Sequence, residues 1–433
     1  MRQDAGAARH IWYSLGRYGW CATAFLLYFC FTCYQLGLPG LHYDEAREAG
    51  VNAMEILTGA PASLFRDVGL PLFGYRWPLM VQDYIGALNV YLALPFLWLT
   101  GIGVPNLRIL PILIGACTLI LVERTISEWD LLWTQDAQLD KKPHAQTVNA
   151  QTPFVRSHAA TVPLSRPGLL AIKLLVASPS FVFWSRQGIF VTNITQPLVF
   201  AALWHGIRWL RLGRGRALMT AAFWAGCALY AKLLAIWILG PFAILVSGWW
   251  LWRFRSQQRP RLTLRLCSVS LIAFLVPLLP LVWFNLESAG TLQALTANVG
   301  TSYYGVDNLA IWHNLPIRLA QLQRVLAGNH FWYLGGLYGN PLAEWGGILL
   351  LGGVVLLSLR KSRRGYSLAP GLLLLLAFIA SLFTISDLFQ THYTVTSTGN
   401  QCDHDGVDQS FFTGANCALA NIGYCGGLPM VAA

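Results

Sequence analysis

Long apolar runs recur along this chain, and they limit what it can fold into more than any other feature. They lie near 17–36, 83–100, 107–122, 168–184, 189–204, 217–231, 234–252, 267–285, 343–359 and 367–385. Inside a bilayer, backbone amides have no water to pair with, so a spanning segment closes its own hydrogen bonds as a helix of about 20 apolar residues. Only 11% of the 433 residues are charged, against about 25% in a soluble domain. The expected fold is an all-α polytopic membrane protein with about nine to eleven spanning helices. Several runs carry Trp or Tyr at an end, as interface anchors do.

The net charge of +11 does not indicate nucleic acid, because the basic residues are gathered between apolar runs. One group is Arg208, Arg211, Arg214 and Arg216; a second is Arg253, Arg255, Arg259, Arg261 and Arg265; a third is Arg360, Lys361, Arg363 and Arg364. Short loops rich in Lys and Arg face the cytoplasm, so these clusters orient the protein. The polar stretch 123–167 is balanced in charge and does not vote. Pinning the basic loops and the basic N-terminus (Arg2, Arg9, Arg17) inside leaves 37–82, 185–193, 285–342 and 386–395 outside. The two pins disagree by one crossing. Three apolar runs lie between 83 and 184 where an even number is needed, which requires one of them to be re-entrant or part of a longer helix. The first run is long and has no A-x-A cleavage site after it, so it reads as a retained helix. The nine cysteines show no zinc-type CxxC spacing and imply no disulfide framework.

Two long extracytoplasmic loops, 37–82 and 285–342, therefore cap a helical bundle. The first opens with "GLPGLHYDEAREAG", a dense knot of charge directly after an apolar run. From Asp44, the residues Ala46, Ala49, Ala53, Met54 and Leu57 recur at helical spacing, with Glu45, Glu48, Asn52 and Glu55 off that face. This predicts a short amphipathic helix lying on the membrane. There is no internal repeat of the kind inverted-repeat transporters carry. Asp44 and Glu45 have three readings: acids in a first helical turn complementing the dipole, a cation site, or a catalytic base. Residue type and spacing leave all three open.

A first helix followed by an outside loop opening with "YDEA" and an amphipathic helix resembles the GT-C fold of membrane glycosyltransferases. The nearest patterns are the protein O-mannosyltransferase-like and lipid A aminoarabinose transferase-like enzymes. "YIGALNVYLALPFLWLTGIGVPNLRILPILIGACTLIL" is similar to the second and third helices of that family. "SPSFVFWSRQGIFVTNITQPLVFAALW" resembles its Ser-Arg segment, and "GCALYAKLLAIWILGPF" its Gly…Lys helix. The likeness covers about 17–395, making 1–395 one transferase module and 396–433 a divergent or truncated tail rich in Gly, Cys and Asn. The sequence departs from the family where a second acid commonly follows the Arg: Thr192 and Asn193 stand there. That argues against any mechanism needing two distant carboxylates. The sequon Asn193-Ile194-Thr195 abuts an apolar run and carries no weight.

The resemblance implies a hexosyl or pentosyl transferase of the plasma (inner) membrane. It would move a sugar from a polyprenyl-phosphate donor to a protein, lipid or glycan acceptor on the extracytoplasmic face. A polyprenyl phosphate leaves without much protonation, so one base on the acceptor suffices; a glycosidase needs two carboxylates at fixed separation. Asp44 is the expected base, acting with inversion, and Glu45 either orients the acceptor or holds the first turn. The departing phosphate requires fixed positive charge. Outside cations are Arg47, Arg76, Arg186, Lys232, Arg318 and Arg324, of which Lys232 and Arg186 fall in family segments and Arg47 sits beside the acid pair. Lys232 interrupts an apolar hairpin, where an ionisable residue is functional by default or snorkels to the interface. The aromatic and His residues Tyr303, Tyr304, His313, His330, Trp332 and Tyr333 receive no role. No cofactor is implied. A divalent cation held by the acid pair, waters and a diphosphate is a weaker option, and no metal-ligand motif is present. The competing readings are a transporter or flippase of lipid-linked sugars and a non-catalytic GT-C-like protein.

The charge pattern makes one checkable statement about topology: 205–216, 253–266 and 360–366 face the cytoplasm. Single cysteines placed in 256–262 are expected to resist an impermeant maleimide in intact cells, and modification there would reverse the orientation.

Overall fold

A computed structural model describes residues 2–37, 51–139, 164–186, 191–252, 260–300, 307, 309–326, and the short pieces 341–342, 345–346 and 348–349. The chain divides into two compact units, 1–294 with 358–378 and 295–357 with 379–433. The described residues are mostly helical. Three helical segments are long and apolar enough to cross a membrane: Val104–Leu132, Leu233–Leu251 and Leu264–Ser288. The last of these leaves Leu271, Ile272, Leu279 and Leu286 exposed, a surface that suits lipid better than water.

In the first unit, α1 (Arg2–Cys33) ends in a turn at 34–37, and the next described helix is α2 (Val51–Thr58). Two small hairpins follow. Strands β1 (Gly69–Leu72) and β2 (Tyr75–Pro78) pair antiparallel with Leu72 opposite Tyr75, and β3 (Met80–Gln82) pairs with β4 (Ile85–Gly86). The loop of the first hairpin has two residues, Phe73 at φ 54° and Gly74 at φ 78°, the positive-φ turn that matches the twist of paired strands. Then come α3 (Leu88–Thr100), α4 (Val104–Leu139), α5 (Arg166–Ala177), α6 (Pro179–Arg186), α7 (Val191–Leu212) and α8 (Gly215–Ala231). A 3-10 turn at Leu233–Ala235 leads into α9 (Ile236–Trp252). Helices α10 (Leu264–Leu275) and α11 (Leu279–Ser288) are joined by a 3-10 turn, and α12 (Gly290–Gly300) follows. The second unit contains α13 (Ile311–Leu326), where Asn314 donates to the carbonyl of Asp307 at 2.7 Å.

Local chemistry sets several boundaries. Ser165 caps α5 by accepting from the Gly168 amide at 3.0 Å, with Pro167 in the first turn. Thr263 caps α10 in the same way, accepting from Leu266 at 3.2 Å. The run 168–184, expected as one span, is two helices, because the chain leaves helical geometry at Ser178 (φ −78°, ψ 114°) before Pro179. The amphipathic helix is present over its described part, but Asn52 is buried rather than on the polar face. Its amide donates to Ser63 O at 2.9 Å, and Glu55 accepts from the Ser63 amide and hydroxyl, both at 2.6 Å. Those bonds fold the segment after α2 back onto it.

Helix α3 is shorter than the apolar run 83–100 suggests. Thirteen residues reach about 20 Å, short of the roughly 30 Å hydrocarbon core. Its first turn adjoins the hairpins, and Val90, Ala93 and Leu97 pack with Ala53 of α2 and Leu107 and Leu110 at the start of α4.

At the opposite end, α4 carries two buried carboxylates. Glu123 accepts from Ser127 Oγ at 2.5 Å and from the Ser165 amide at 3.3 Å, tying the start of α5 to α4. Glu128 accepts from Arg211 Nε at 2.6 Å, with the two side chains 0% and 2% exposed. Arg211, counted from sequence among the loop cations, is thus an inter-helix partner. Removing one member of a buried pair strands the other charge and costs about 3–5 kcal/mol, whereas apolar replacement of both can be near neutral. Glu128→Ala and Arg211→Ala are each expected to lower the melting temperature in detergent sharply. The double variant Glu128→Leu with Arg211→Met is expected to lose less than either.

Candidate functional site

Of the candidate residues that the structure describes, Arg186 lies where α1 ends. A helix leaves its last carbonyls without partners, and here the turn after α1 continues that deficit, with Gln35 at φ 47°. Two arginines supply the missing donors. Arg108 Nη1 donates to Leu36 O at 2.8 Å, and Arg186 Nη2 donates to Gln35 O at 2.8 Å. Cationic donors at a helix C-terminus also complement its dipole. Arg108 is 1% exposed and belongs to the second turn of α4, so it fixes α4 to the exit of α1. Deeper along the same seam, Tyr28 donates to Ile112 O at 2.9 Å, and a Cβ on Gly115 would strike its phenol oxygen. Glycine at 115 is what lets the two helices approach.

Lys232 sits at a break rather than on a helix. It ends α8 in extended geometry (φ −156°, ψ 120°) and forms a bridge with Ile85 of β4. The amide of Leu233 donates to Tyr84 O at 3.0 Å. An interruption in an apolar helix frees backbone groups that must find partners, and the second hairpin provides them. Tyr230 reinforces the corner, donating to Leu79 O at 2.8 Å and accepting from the Ala87 amide at 3.3 Å. Gly86 lies against Tyr230 so closely that a Cβ would collide with its carbonyl oxygen.

Two ion pairs set the frame around this corner. Arg66, itself at φ 53°, holds Asp83 in a bidentate pair at 2.7 and 3.0 Å. The hydrogen bond with Asp83 pushes the Arg66 pKa further up, against a small opposing effect of burial. Thr291 donates to Asp83 O at 2.6 Å, attaching the start of α12. Arg76 engages the Asp67 carboxylate at 2.7 Å and its carbonyl at 2.6 Å. Arg76, offered from sequence as an outside cation, is therefore a hairpin strut.

Arg186 and Lys232 belong to separate seams of this end, α1 with α6 and α8 with β4. Asp44, Glu45 and Arg47 lie outside the described residues, as do Tyr303, Tyr304, His330, Trp332, Tyr333 and the tail from Thr396. His313 is exposed on α13 of the second unit. Asn193 and Thr195 of the sequon are both buried in α7. Among the described residues, no three His, Cys, Asp or Glu side chains gather as metal ligands. Sequence reasoning missed Arg108. The signal was available, since an arginine in "NLRILP" interrupts an apolar run much as Lys232 does.

Compared with protein families, with curated proteins and with solved structures, the chain matches none.

The close approach at Gly86 makes a stability prediction. Overpacking against backbone costs about 1–3 kcal/mol, so Gly86→Ala is expected to lower the melting temperature. Gly19→Ala, where nothing lies within 4 Å, is expected to leave it unchanged or raise it slightly.

Proposed function

We propose that this chain is an integral-membrane glycosyltransferase of the GT-C kind, moving a sugar from a polyprenyl-phosphate donor to an extracytoplasmic acceptor. The observation that carries the reading is a convergence. The arginine-held exit of α1 and the Lys232 break lie at one end of the first unit, and Asp44 follows Gly37 by seven residues. The turn between α7 and α8 and the segment before α10, both basic, lie at the other end. By the positive-inside rule the Lys232 end is then extracytoplasmic. A multi-pass bundle of about nine to eleven spans remains part of this reading.

In the mechanism, the Asp44 carboxylate takes the proton of the acceptor nucleophile as its lone pair attacks the anomeric carbon. The bond from that carbon to the phosphate oxygen breaks, and its electron pair leaves with the polyprenyl phosphate. The sugar carbon inverts. Charge accumulates on the departing phosphate, and Lys232, Arg186 and Arg47 are the cations proposed to hold it. Arg186 also donates to Gln35 O, which fixes where its guanidinium sits. Glu45 orients the acceptor or caps the following turn.

The direct test is incubation of the purified protein with labelled polyprenyl-phosphate sugars while release of polyprenyl phosphate is followed. Asp44→Asn keeps capping ability, so stability is expected to change by less than about 1 kcal/mol. Loss of a general base lowers rate about a hundred- to ten-thousandfold, and donor binding is expected to survive it. Glu45→Gln should be milder. Lys232→Met is expected to weaken donor binding more than about tenfold without altering the fold. An Asp44→Asn protein that still transfers sugar would place the base elsewhere and make the acid pair a helix cap.

A further inference from the structure

Lys173 places a charge in the apolar helix α5, "GLLAIKLLVA", and it is exposed rather than packed inside the unit. Leu170 and Leu174 beside it are 58% and 62% exposed. The other side of α5 is apolar too, with Ile172 and Val176 packed against Ala24 and Tyr28 of α1 and Leu119 of the spanning segment Val104–Leu132. An apolar face left open beside a spanning helix meets lipid. Depth can be counted along α4. From Val104, a helix has crossed about 30 Å, the thickness of the hydrocarbon core, when it reaches Glu123. Glu123 accepts from the amide of Ser165, the cap of α5. Arg166 therefore stands at that boundary and Lys173 two turns inside it, about 10 Å. Helical side chains lean toward the N-terminus, so the Lys173 stem runs back toward Arg166. Its ammonium lies over the Trp20 ring of α1, 3.9 Å from the centroid. This is the basic end of the unit, which the positive-inside rule makes cytoplasmic.

A cation on a lipid-facing surface needs an anion that the bilayer can supply. Among the described residues no carboxylate pairs with Lys173. Glu123 is engaged by Ser127, the Ser165 amide and Arg124, and Glu128 by Arg211. The Trp20 ring attracts an ammonium through its negative face but carries no net charge. Arg166 precedes Lys173 by seven residues, so the two share a helix face, and Arg166 is exposed as well. Two cations at the boundary with exposed leucines among them match a headgroup phosphate above acyl chains. We propose that this face of α5, with Trp20 of α1, holds a two-chain bilayer phospholipid of net negative charge in the cytoplasmic leaflet. A zwitterionic headgroup brings its own cation and is the poorer match. Basic pockets between helices on the cytoplasmic side select anionic headgroups in this way. The site lies at the end opposite Lys232 and Arg186, uses neither, and involves no sugar transfer.

Native mass spectrometry of the purified full chain in detergent tests this, with phosphatidylglycerol and phosphatidylcholine of identical acyl chains as probes. The natural chain is expected to retain one phosphatidylglycerol at concentrations where phosphatidylcholine is lost. Lys173→Gln should raise the half-saturating concentration of phosphatidylglycerol about fivefold, and adding Arg166→Gln about fivefold again. Lys173→Arg should keep the preference. Arg261→Gln removes an exposed cation from the segment before α10, elsewhere at the basic end, and should change nothing. Glycerol 3-phosphate, a headgroup without chains, should not compete. Equal retention of the two lipids by the natural chain, a comparison that needs no variant, overturns the proposal and leaves Lys173 a snorkelling anchor. So does a loss in Arg261→Gln as large as in Lys173→Gln, which would make the preference a property of the whole basic surface. Competition by glycerol 3-phosphate also overturns it, by making the site one for soluble anions. A chain that shows the preference but transfers no sugar keeps this site and loses the glycosyltransferase reading.

Discussion

The Gln35 and Leu36 carbonyls, just beyond α1, each accept from an arginine, and this pairing joins three helices at one described end. Arg108 comes from α4 and Arg186 from α6, so one short turn is held by two different helices. A neutral donor would satisfy the same carbonyls. A buried guanidinium does more, because its charge is also stabilised by the negative end of the α1 dipole. Tyr28 and Gly115 continue the seam along the helices.

The same accounting explains the second corner. Apolar helices tolerate a break only where the freed backbone groups are paired. At Lys232 the partner is extended chain, with Ile85 bridged to Lys232 and Tyr84 accepting from Leu233. The hairpins that supply it are stiffened by Arg66 with Asp83 and by Arg76 with Asp67, and Val68, Leu79 and Met80 pack against Tyr230 and Phe284. The hairpin segment is therefore a brace that supplies partners for an interrupted helix. At the other end, the bundle is closed by buried charge, Glu128 with Arg211 and Glu123 with the cap of α5.

Much of this was legible in the sequence for simple reasons. The positions of α7, α8 and α9 follow from apolar runs long enough to read against any background, whereas α4 continues well past its run and 168–184 divides in two. The interruption at Lys232 is visible because a charge there has no place in an apolar run. Less was legible where a residue's role depends on a distant neighbour. Arg211 reads as a loop cation until Glu128, 83 residues earlier, is set beside it. Asn52 reads as solvent-facing until the chain returns at Ser63. The run 83–100 reads as a span because hydropathy does not separate strands from helices, and β4 contributes its apolar residues to that run.

Composition alone determined that the chain is helical and suited to an apolar solvent, since uncharged segments of this length can close their hydrogen bonds only within themselves. It also placed Asp44 and Glu45 directly after the first helix. Tertiary structure decided what completes the break at Lys232, because its partners, Ile85 and Tyr84, come from a hairpin far away in sequence. It decided that Arg108 and Arg186 share the exit of α1, a coincidence of helices separated by dozens of residues. Periodicity reports which face of a segment is apolar; only packing reports what that face, and the charges beside it, will meet.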